Sequence, residues 1–303
     1  MKLLISILIL LTLYSCNESK NTPIQQKRKI TKEKAKNNSN SLLWKVEGNG
    51  IKKPSYIFGS LQVINSGKLN IINKLEATLD KCNSILLETA DEPKKENVMA
   101  KLTFKNDSIS NYLTPGEIKE ISSFFNDKMG INEEGFNAFF SKSKPYLIYS
   151  TISLASYDKT PQIQLMEFQK YATENNKKLI GLSSLSNTVS LFDSIPNDTL
   201  YKWCLTSIRH FEKSKEVVNR LEDIYLKQQL SQIYPLIEEN SPEFLEYFDL
   251  FVTNRLNKWI HTVEKEIKKG GTFIGIGTLL ISCENNLLER LENKGYTVTP
   301  IEF

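Results

Sequence analysis

Two polar side chains stand at the ends of apolar segments, where a folded chain would present them to a site. Glu88 ends the apolar run 84–87, and Gln62 comes three residues after Gly59, where a second apolar run closes. A carboxylate is costly to bury without a partner, so Glu88 either faces a paired or functional site or meets water where its strand ends. Gln62 offers an amide oxygen, which is a weak and neutral metal ligand compared with imidazole.

The chain has only two histidines, and neither is placed to complete such a site. His210 lies within a predicted helix, and His261 precedes Glu264 by three residues in another. A His/Glu pair at this spacing can share a metal on one helix face, but two ligands do not make a metal site. We expect both imidazoles on solvated helix surfaces.

Two glycine-containing segments match known catalytic or nucleotide-binding motifs only in part. The segment from Gly181 through Ser183 to Leu185 lacks the second glycine of a G-x-S-x-G elbow, and no histidine is placed to serve its serine. The segment from Gly275 carries Leu280 in place of the third glycine of a dinucleotide loop, without a following strand–helix–strand unit. We therefore predict neither an activated serine nor a nucleotide site.

The apolar periodicity predicts the elements that must position these side chains. Thr114, Pro115 and Glu117 form a helix start with a capping box, and Gly130 ends that helix. Other helical patterns cover residues 68–81, 145–154, 164–175, 185–192, 198–229, 244–269 and 285–294. Short strands are predicted at residues 43–46, 56–58, 84–88, 178–182, 272–277 and 296–301. This alternation predicts a mixed α/β body, with a central sheet of short strands and a large helical middle.

The first 16 residues form a targeting signal. Met1 and Lys2 precede an apolar run of secretory length, too short to span a bilayer comfortably. The run ends at Ser15 and Cys16 and resembles the lipobox of bacterial lipoproteins, although Tyr14 replaces the small residue preferred there. We expect Cys16 to be the lipidated first residue of the mature chain, which would anchor the protein to a membrane of the cell envelope, at the outer membrane or the surface. The alternative is a plain secreted protein with an incidental cysteine.

Charge and composition separate a tether from a single folded domain. Residues 17–41 carry seven Lys or Arg, two Glu and very few apolar side chains, so they cannot offset the entropy of ordering and predict a disordered basic tether. Residues 42–303 carry 31 basic and 33 acidic side chains. This near-neutral balance gives no support for a nucleic-acid partner. The cysteines Cys82, Cys204 and Cys283 have neither metal-ligand spacing nor the number for a disulfide framework.

Short motifs along nearly all of residues 42–303 occur in the order found in one protein family. They are Leu43-Trp44-Lys45-Val46-x-Gly48, Pro54-Ser55-Tyr56-Ile57-Phe58-Gly59-Ser60, Ile85-Leu86-Leu87-Glu88, Lys144-Pro145-Tyr146, Lys178-Leu179-Ile180-Gly181-Leu182, Leu191-Phe192-Asp193-x-Ile195-Pro196, Asn254-Arg255, Trp259, Phe273-Ile274-Gly275-Ile276-Gly277, Glu284-Asn285 and Lys294-Gly295-Tyr296-Thr297-Val298-Thr299-Pro300. Together they resemble the TraB/GumN family, to which the Tiki-type proteases belong. The resemblance implies a Tiki-like fold over residues 42–303.

The resemblance also implies a metal site. Two strand-end G-x-x-H motifs, a strand-end Glu and an Arg from a late helix would gather around a divalent metal such as Mn or Co, which can activate water against a carbonyl. Position by position, Glu88 matches the Glu and Arg255 matches the Arg. The two motifs begin at Gly59 and Gly277, which would mark the cleft.

Several of the implied ligands are replaced in this chain. Gln62 and Leu280 stand at the two histidine positions, Ser183 stands where the family usually has a Glu, and Leu256 replaces an Asn. Leucine has no lone pair for a metal, and one carboxylate with one amide cannot hold a catalytic transition metal. We therefore expect no metal cofactor, and we expect Arg255 to pair directly with Glu88.

These departures favour a catalytically degraded module that binds a peptide or protein in the old cleft. The alternative is an active divalent-metal-dependent peptidase with atypical ligands, such as Glu88 with Gln62, Asp91 or a migrated histidine. A third possibility is a surface-structural lipoprotein that binds no ligand. No feature of the sequence fixes an oligomeric state.

Overall fold

The structure, a computed structural model, describes residues 40–90 and 98–303. The predicted signal peptide with Cys16, nearly all of the predicted tether and Asp91 lie outside these residues. Ser41, predicted as the last residue of the tether, is buried, and its hydroxyl lies 2.7 Å from the Ile301 carbonyl oxygen. The folded part therefore includes Ser41. In the described residues, no helix has both the length and the apolar character needed to cross a bilayer.

A six-stranded mixed sheet forms the centre of the fold. Its strands are β1 (Leu43–Gly48), β2 (Ser55–Ser60), β4 (Ser84–Thr89), β6 (Lys178–Ser183), β7 (Thr272–Gly277) and β8 (Tyr296–Ile301), while β3 (Ile64–Asn65) pairs with β5 (Pro161–Gln162) in a separate ribbon. The order across the large sheet is β6-β4-β7-β2-β1-β8. Neighbouring strands from β6 to β2 are parallel, and β1 is antiparallel to both β2 and β8. All six predicted strands are present, which confirms the mixed α/β prediction.

Helices cover the sheet and fill the middle of the chain. They are α1 (Ile71–Asp80), α2 (Val98–Leu102), α3 (Pro115–Met129), α4 (Glu133–Phe140), α5 (Pro145–Leu154), α6 (Gln164–Glu174), α7 (Leu185–Ser190), α8 (Asn197–Arg209), α9 (Phe211–Leu226), α10 (Ile233–Asn240), α11 (Pro242–Glu246), α12 (Asn254–Lys269), α13 (Leu279–Ser282) and α14 (Leu287–Glu292). One turn of π-helix, Asp249–Thr253, leads directly into α12.

The start of α3 shows how local sequence sets an element. The Thr114 side chain accepts a hydrogen bond from the Glu117 N–H, and the Glu117 carboxylate accepts one from the Thr114 N–H at 2.8 Å. Gly130 ends the helix at a φ of +68°, which glycine adopts without strain. The predicted capping box and glycine stop are both confirmed.

Two predicted long helices are in fact broken. The pattern over residues 198–229 divides at His210 into α8 and α9, so the prediction that His210 lies within a helix is wrong. The pattern over residues 244–269 divides into α11, the π-helical turn and α12. The apolar period continues across both breaks, but α8 packs against α5 whereas α9 packs against α10, so tertiary packing decides where each helix ends.

A buried carboxylate fixes the β3–β5 ribbon to α9. Glu222 is only 1% exposed, and it accepts hydrogen bonds from the Asn65 N–H at 2.6 Å and from Asn65 Nδ2 at 2.9 Å. Lys68 Nζ lies 2.6 Å from the same carboxylate. Asn65 Oδ1 in turn accepts from the Lys159 N–H, so this one side chain of β3 joins the segment that leads into β5 to the helix.

We predict that Glu222→Ala lowers the free energy of unfolding by about 3 kcal/mol, because it leaves the buried donors of Asn65 without an acceptor. Urea unfolding of the variant and the parent chain measures this loss. Glu239→Ala is the matched control: Glu239 pairs with Arg220 at 3.3 Å on the solvent-exposed surface, so its loss should cost under about 1 kcal/mol. Equal losses for the two variants would contradict the prediction.

Candidate functional site

A cleft lies over the carboxyl ends of β2, β4 and β7. It encloses about 720 Å³ of empty space, part of it open to solvent. Residues 60–63, Glu88 and residues 277–280 form its strand side. The carboxyl ends of parallel strands are the usual ligand position in open α/β sheets. The cleft is therefore the candidate site.

An ion pair occupies the floor of this cleft. Glu88 Oε2 accepts a short hydrogen bond from Arg255 NH2, and the two side chains are only 10% and 7% exposed. Glu88 Oε1 accepts the Gly277 N–H at 2.6 Å. Both carboxylate oxygens are thus engaged, one by a guanidinium and one by the end of β7. The direct pairing of Arg255 with Glu88 expected from the sequence is present.

Arg255 is held by two further groups, one of which is itself fixed by Ser183. Its NH1 donates to the Phe251 carbonyl oxygen at 3.3 Å, and its guanidinium carbon lies 4.2 Å from the centroid of the Trp259 ring. Trp259 Nε1 donates to Ser183 Oγ at 3.0 Å. Ser183 is not among the residues that line the cleft, so it acts on the site through Trp259, which stacks on Arg255.

The two predicted cleft glycines have different roles. A Cβ at Gly277 would lie 3.1 Å from Glu88 Oε1, so the absence of a side chain lets β7 bring its N–H to the carboxylate. Gly59 does not line the cleft. A Cβ there would lie 2.5 Å from Ile281 Cδ1, so Gly59 allows β2 to pack closely under α13.

The two positions at which the family resemblance implies histidine both line the cleft. Gln62 presents an amide and Leu280 a hydrocarbon side chain that is only 3% exposed. The structure therefore brings Gln62, Glu88, Arg255 and Leu280 to one place. It does not bring the histidines there, since neither His210 nor His261 lines the cleft.

These residues do not fit a catalytic metal. In the two described ranges, no group of three His, Cys, Asp or Glu side chains is arranged to hold an ion. At the positions implied by the family resemblance, the donors are one carboxylate that is already bound by Arg255 and Gly277, and one neutral amide. Catalytic zinc-type sites use three protein ligands, mostly imidazole and carboxylate.

The loop that carries Gln62 is fixed from below by buried polar groups. The Leu61 N–H donates to Gln164 Oε1 at 2.9 Å, and the Tyr225 hydroxyl lies 2.9 Å from the same oxygen. Tyr157 also lines the cleft, and its hydroxyl oxygen lies 3.5 Å from the Val63 carbonyl oxygen. Burial raises the pKa of Tyr157 and so does the nearby charge of Glu222, so this phenol stays neutral.

Sequence reasoning missed the other half of the cleft. The helical region from α9 to the π-helical turn contributes only apolar side chains to the lining: Leu221, Ile233, Ile237, Phe244, Phe251 and Val252. Each is buried and lies on the apolar face of a helical segment. Such a residue gives the same sequence signal as an ordinary core residue, so no pattern could have identified this wall.

Comparison with known proteins places the chain in a family. No curated protein and no solved structure matches the sequence. The sequence profile of the TraB/PrgY/gumN family matches residues 42–300, which cover the whole cleft and the six strands of the central sheet except the last residue of β8. The protein belongs to the TraB/PrgY/gumN family.

Proposed function

We propose that this protein is a ligand-binding member of its family that no longer hydrolyses peptides, and that its cleft binds a peptide or protein segment. The observation that carries this proposal is that both carboxylate oxygens of Glu88 already have hydrogen-bond donors. One of its oxygens is bound by Arg255 and the other by the Gly277 N–H, while Gln62 and Leu280 stand at the histidine positions.

A metal would have to compete with a buried ion pair for Glu88. Separating two such charges leaves each of them desolvated and unpaired, which costs several kcal/mol. The amide oxygen of Gln62 would bind a metal only weakly, and Leu280 has no atom that can bind one, so neither offsets this cost. The energetic balance therefore supports a metal-free cleft rather than the alternative of an active metal-dependent peptidase with atypical ligands.

We also propose that the protein is a lipoprotein of the bacterial cell envelope, anchored through Cys16 at the outer membrane or the cell surface. The support is the secretory-length apolar run that ends directly before this cysteine. We expect cells grown with labelled palmitate to incorporate label into the parent chain and not into the Cys16→Ser variant. Equal labelling of both chains, or of neither, would contradict the proposed anchor.

We predict that Arg255→Met lowers the free energy of unfolding by about 3 to 5 kcal/mol, because it leaves the Glu88 carboxylate buried without its cation. Adding Glu88→Gln to that variant should recover part of the loss, since the uncompensated charge is then gone. Urea unfolding of both single variants and the double variant measures the coupling.

The control for this cycle is Arg209→Met. Arg209 makes two hydrogen bonds to the Glu120 carboxylate, but the pair is solvent-exposed, so its loss should cost about 1 kcal/mol or less. If Arg255→Met lowers the free energy of unfolding by no more than Arg209→Met does, the buried ion pair does not stabilise the cleft as proposed.

We predict that the full-length chain, purified without chelator, binds no stoichiometric Mn²⁺ or Co²⁺ and cleaves no peptide in a library screen. The variant with both Gln62→His and Leu280→His should gain metal binding, measured by calorimetry, because two imidazoles then face Glu88. Gln62→Ala with Leu280→Ala is the control and should gain none. Stoichiometric metal in the parent chain would favour the peptidase alternative, and no gain in the histidine variant would count against the placement of the site.

A further inference from the structure

The cleft has two chemically different sides, and their difference points to a ligand class. Every lining residue from the helical region between Leu221 and Val252 is apolar. Most of the polar groups, Ser60, Gln62, Glu88 and Thr278, belong to the strand ends and the loops that follow them. The other two are Arg255, at the start of α12, and the Tyr157 hydroxyl, in the segment after α5. A ligand that fits both sides must carry apolar surface on one side and hydrogen-bonding groups on the other.

The floor of the cleft selects against charge. Glu88 and Arg255 carry opposite charges on side chains that are almost fully buried, and they neutralise one another. An anionic group near Arg255 would meet the Glu88 carboxylate, and a cationic group near Glu88 would meet the guanidinium. A charged ligand could bind only by separating the pair, which leaves a buried charge without a partner.

The apolar wall of the cleft limits which part of a peptide can lie against it. A peptide main chain pressed against this wall would lose its hydrogen bonds to water and find no replacement there. A single apolar side chain gives up no hydrogen bond by entering, and each Å² of its surface removed from water favours binding.

We propose that the cleft recognises a peptide segment through one large uncharged side chain, aliphatic or aromatic, which enters against the helical wall formed by Ile233, Ile237, Phe244 and Phe251. The peptide main chain stays on the strand side, beside Ser60, Gln62 and Thr278. This inference rests on the proposed function of the cleft as a peptide-binding site and names the feature of the peptide that is recognised.

The test uses the full-length chain in lipid nanodiscs, with empty nanodiscs as the blank. The probes are short Gly/Ser peptides, blocked at both ends, with one central residue varied among Leu, Phe, Ala, Asp and Lys. Competition against a fluorescent Leu peptide, followed by anisotropy, gives the relative affinities. We expect the Leu and Phe peptides to bind at least about tenfold more tightly than the Ala, Asp and Lys peptides.

Two variants on α10 test whether the central side chain of the peptide lies against the helical wall. Ile237 lines the cleft, whereas Leu236 beside it is equally buried but does not line it. Ile237→Ala should enlarge the cleft and raise the affinity for the Phe peptide relative to the Leu peptide by about threefold or more. Leu236→Ala should leave that ratio unchanged, so a general loss of stability cannot produce the expected result.

The outcomes separate this inference from the proposed function. Binding of all five peptides with similar affinity, or a preference for Asp or Lys, would overturn the inference and leave peptide binding intact. Binding of no peptide would overturn the proposed function as well. If the neutral amphiphile dodecanol binds the cleft and none of the peptides does, the ligand is a lipid chain and not a peptide.

Discussion

The buried pair of Glu88 and Arg255 is the interaction on which the rest of the site depends. Two opposite charges taken out of water are tolerated only when their remaining hydrogen-bonding groups are satisfied. Here the Gly277 N–H binds the second carboxylate oxygen, the Phe251 carbonyl oxygen accepts from the guanidinium, and the Trp259 ring stacks on it. Because these groups come from β7, the π-helical turn and α12, the pair fixes the helical wall of the cleft against the sheet.

Most of the fold follows from local patterns in the sequence. The strands that hold the site are short apolar runs bounded by glycine or polar residues, and β4 and β7 are visible without any structural information. The helix breaks at His210 and around the π-helical turn are not visible, because the apolar period continues through them. Those breaks follow from packing between distant segments, which a local pattern does not record.

The polar half of the site could be anticipated and the apolar half could not. A carboxylate that ends an apolar strand is conspicuous because burying it is costly, so Glu88 stands out in the sequence alone. Arg255, Leu280 and Ser183 needed the family resemblance, and only the structure shows that Ser183 reaches Arg255 through Trp259. The Ile and Phe side chains of the helical wall have no unusual chemistry, and their role depends on the space beside them.

The pairing of β1 sets an order for the maturation of the chain. This first strand lies between β2 and β8, and Trp44 is in register with Pro300. Contacts between residues so far apart in the sequence are slow to form, because a long loop must close before they contribute. Because a chain is synthesised from its amino end, β1 exists long before β8 does. Until β8 pairs with it, β1 keeps one unsatisfied edge, which is a template for pairing with other chains.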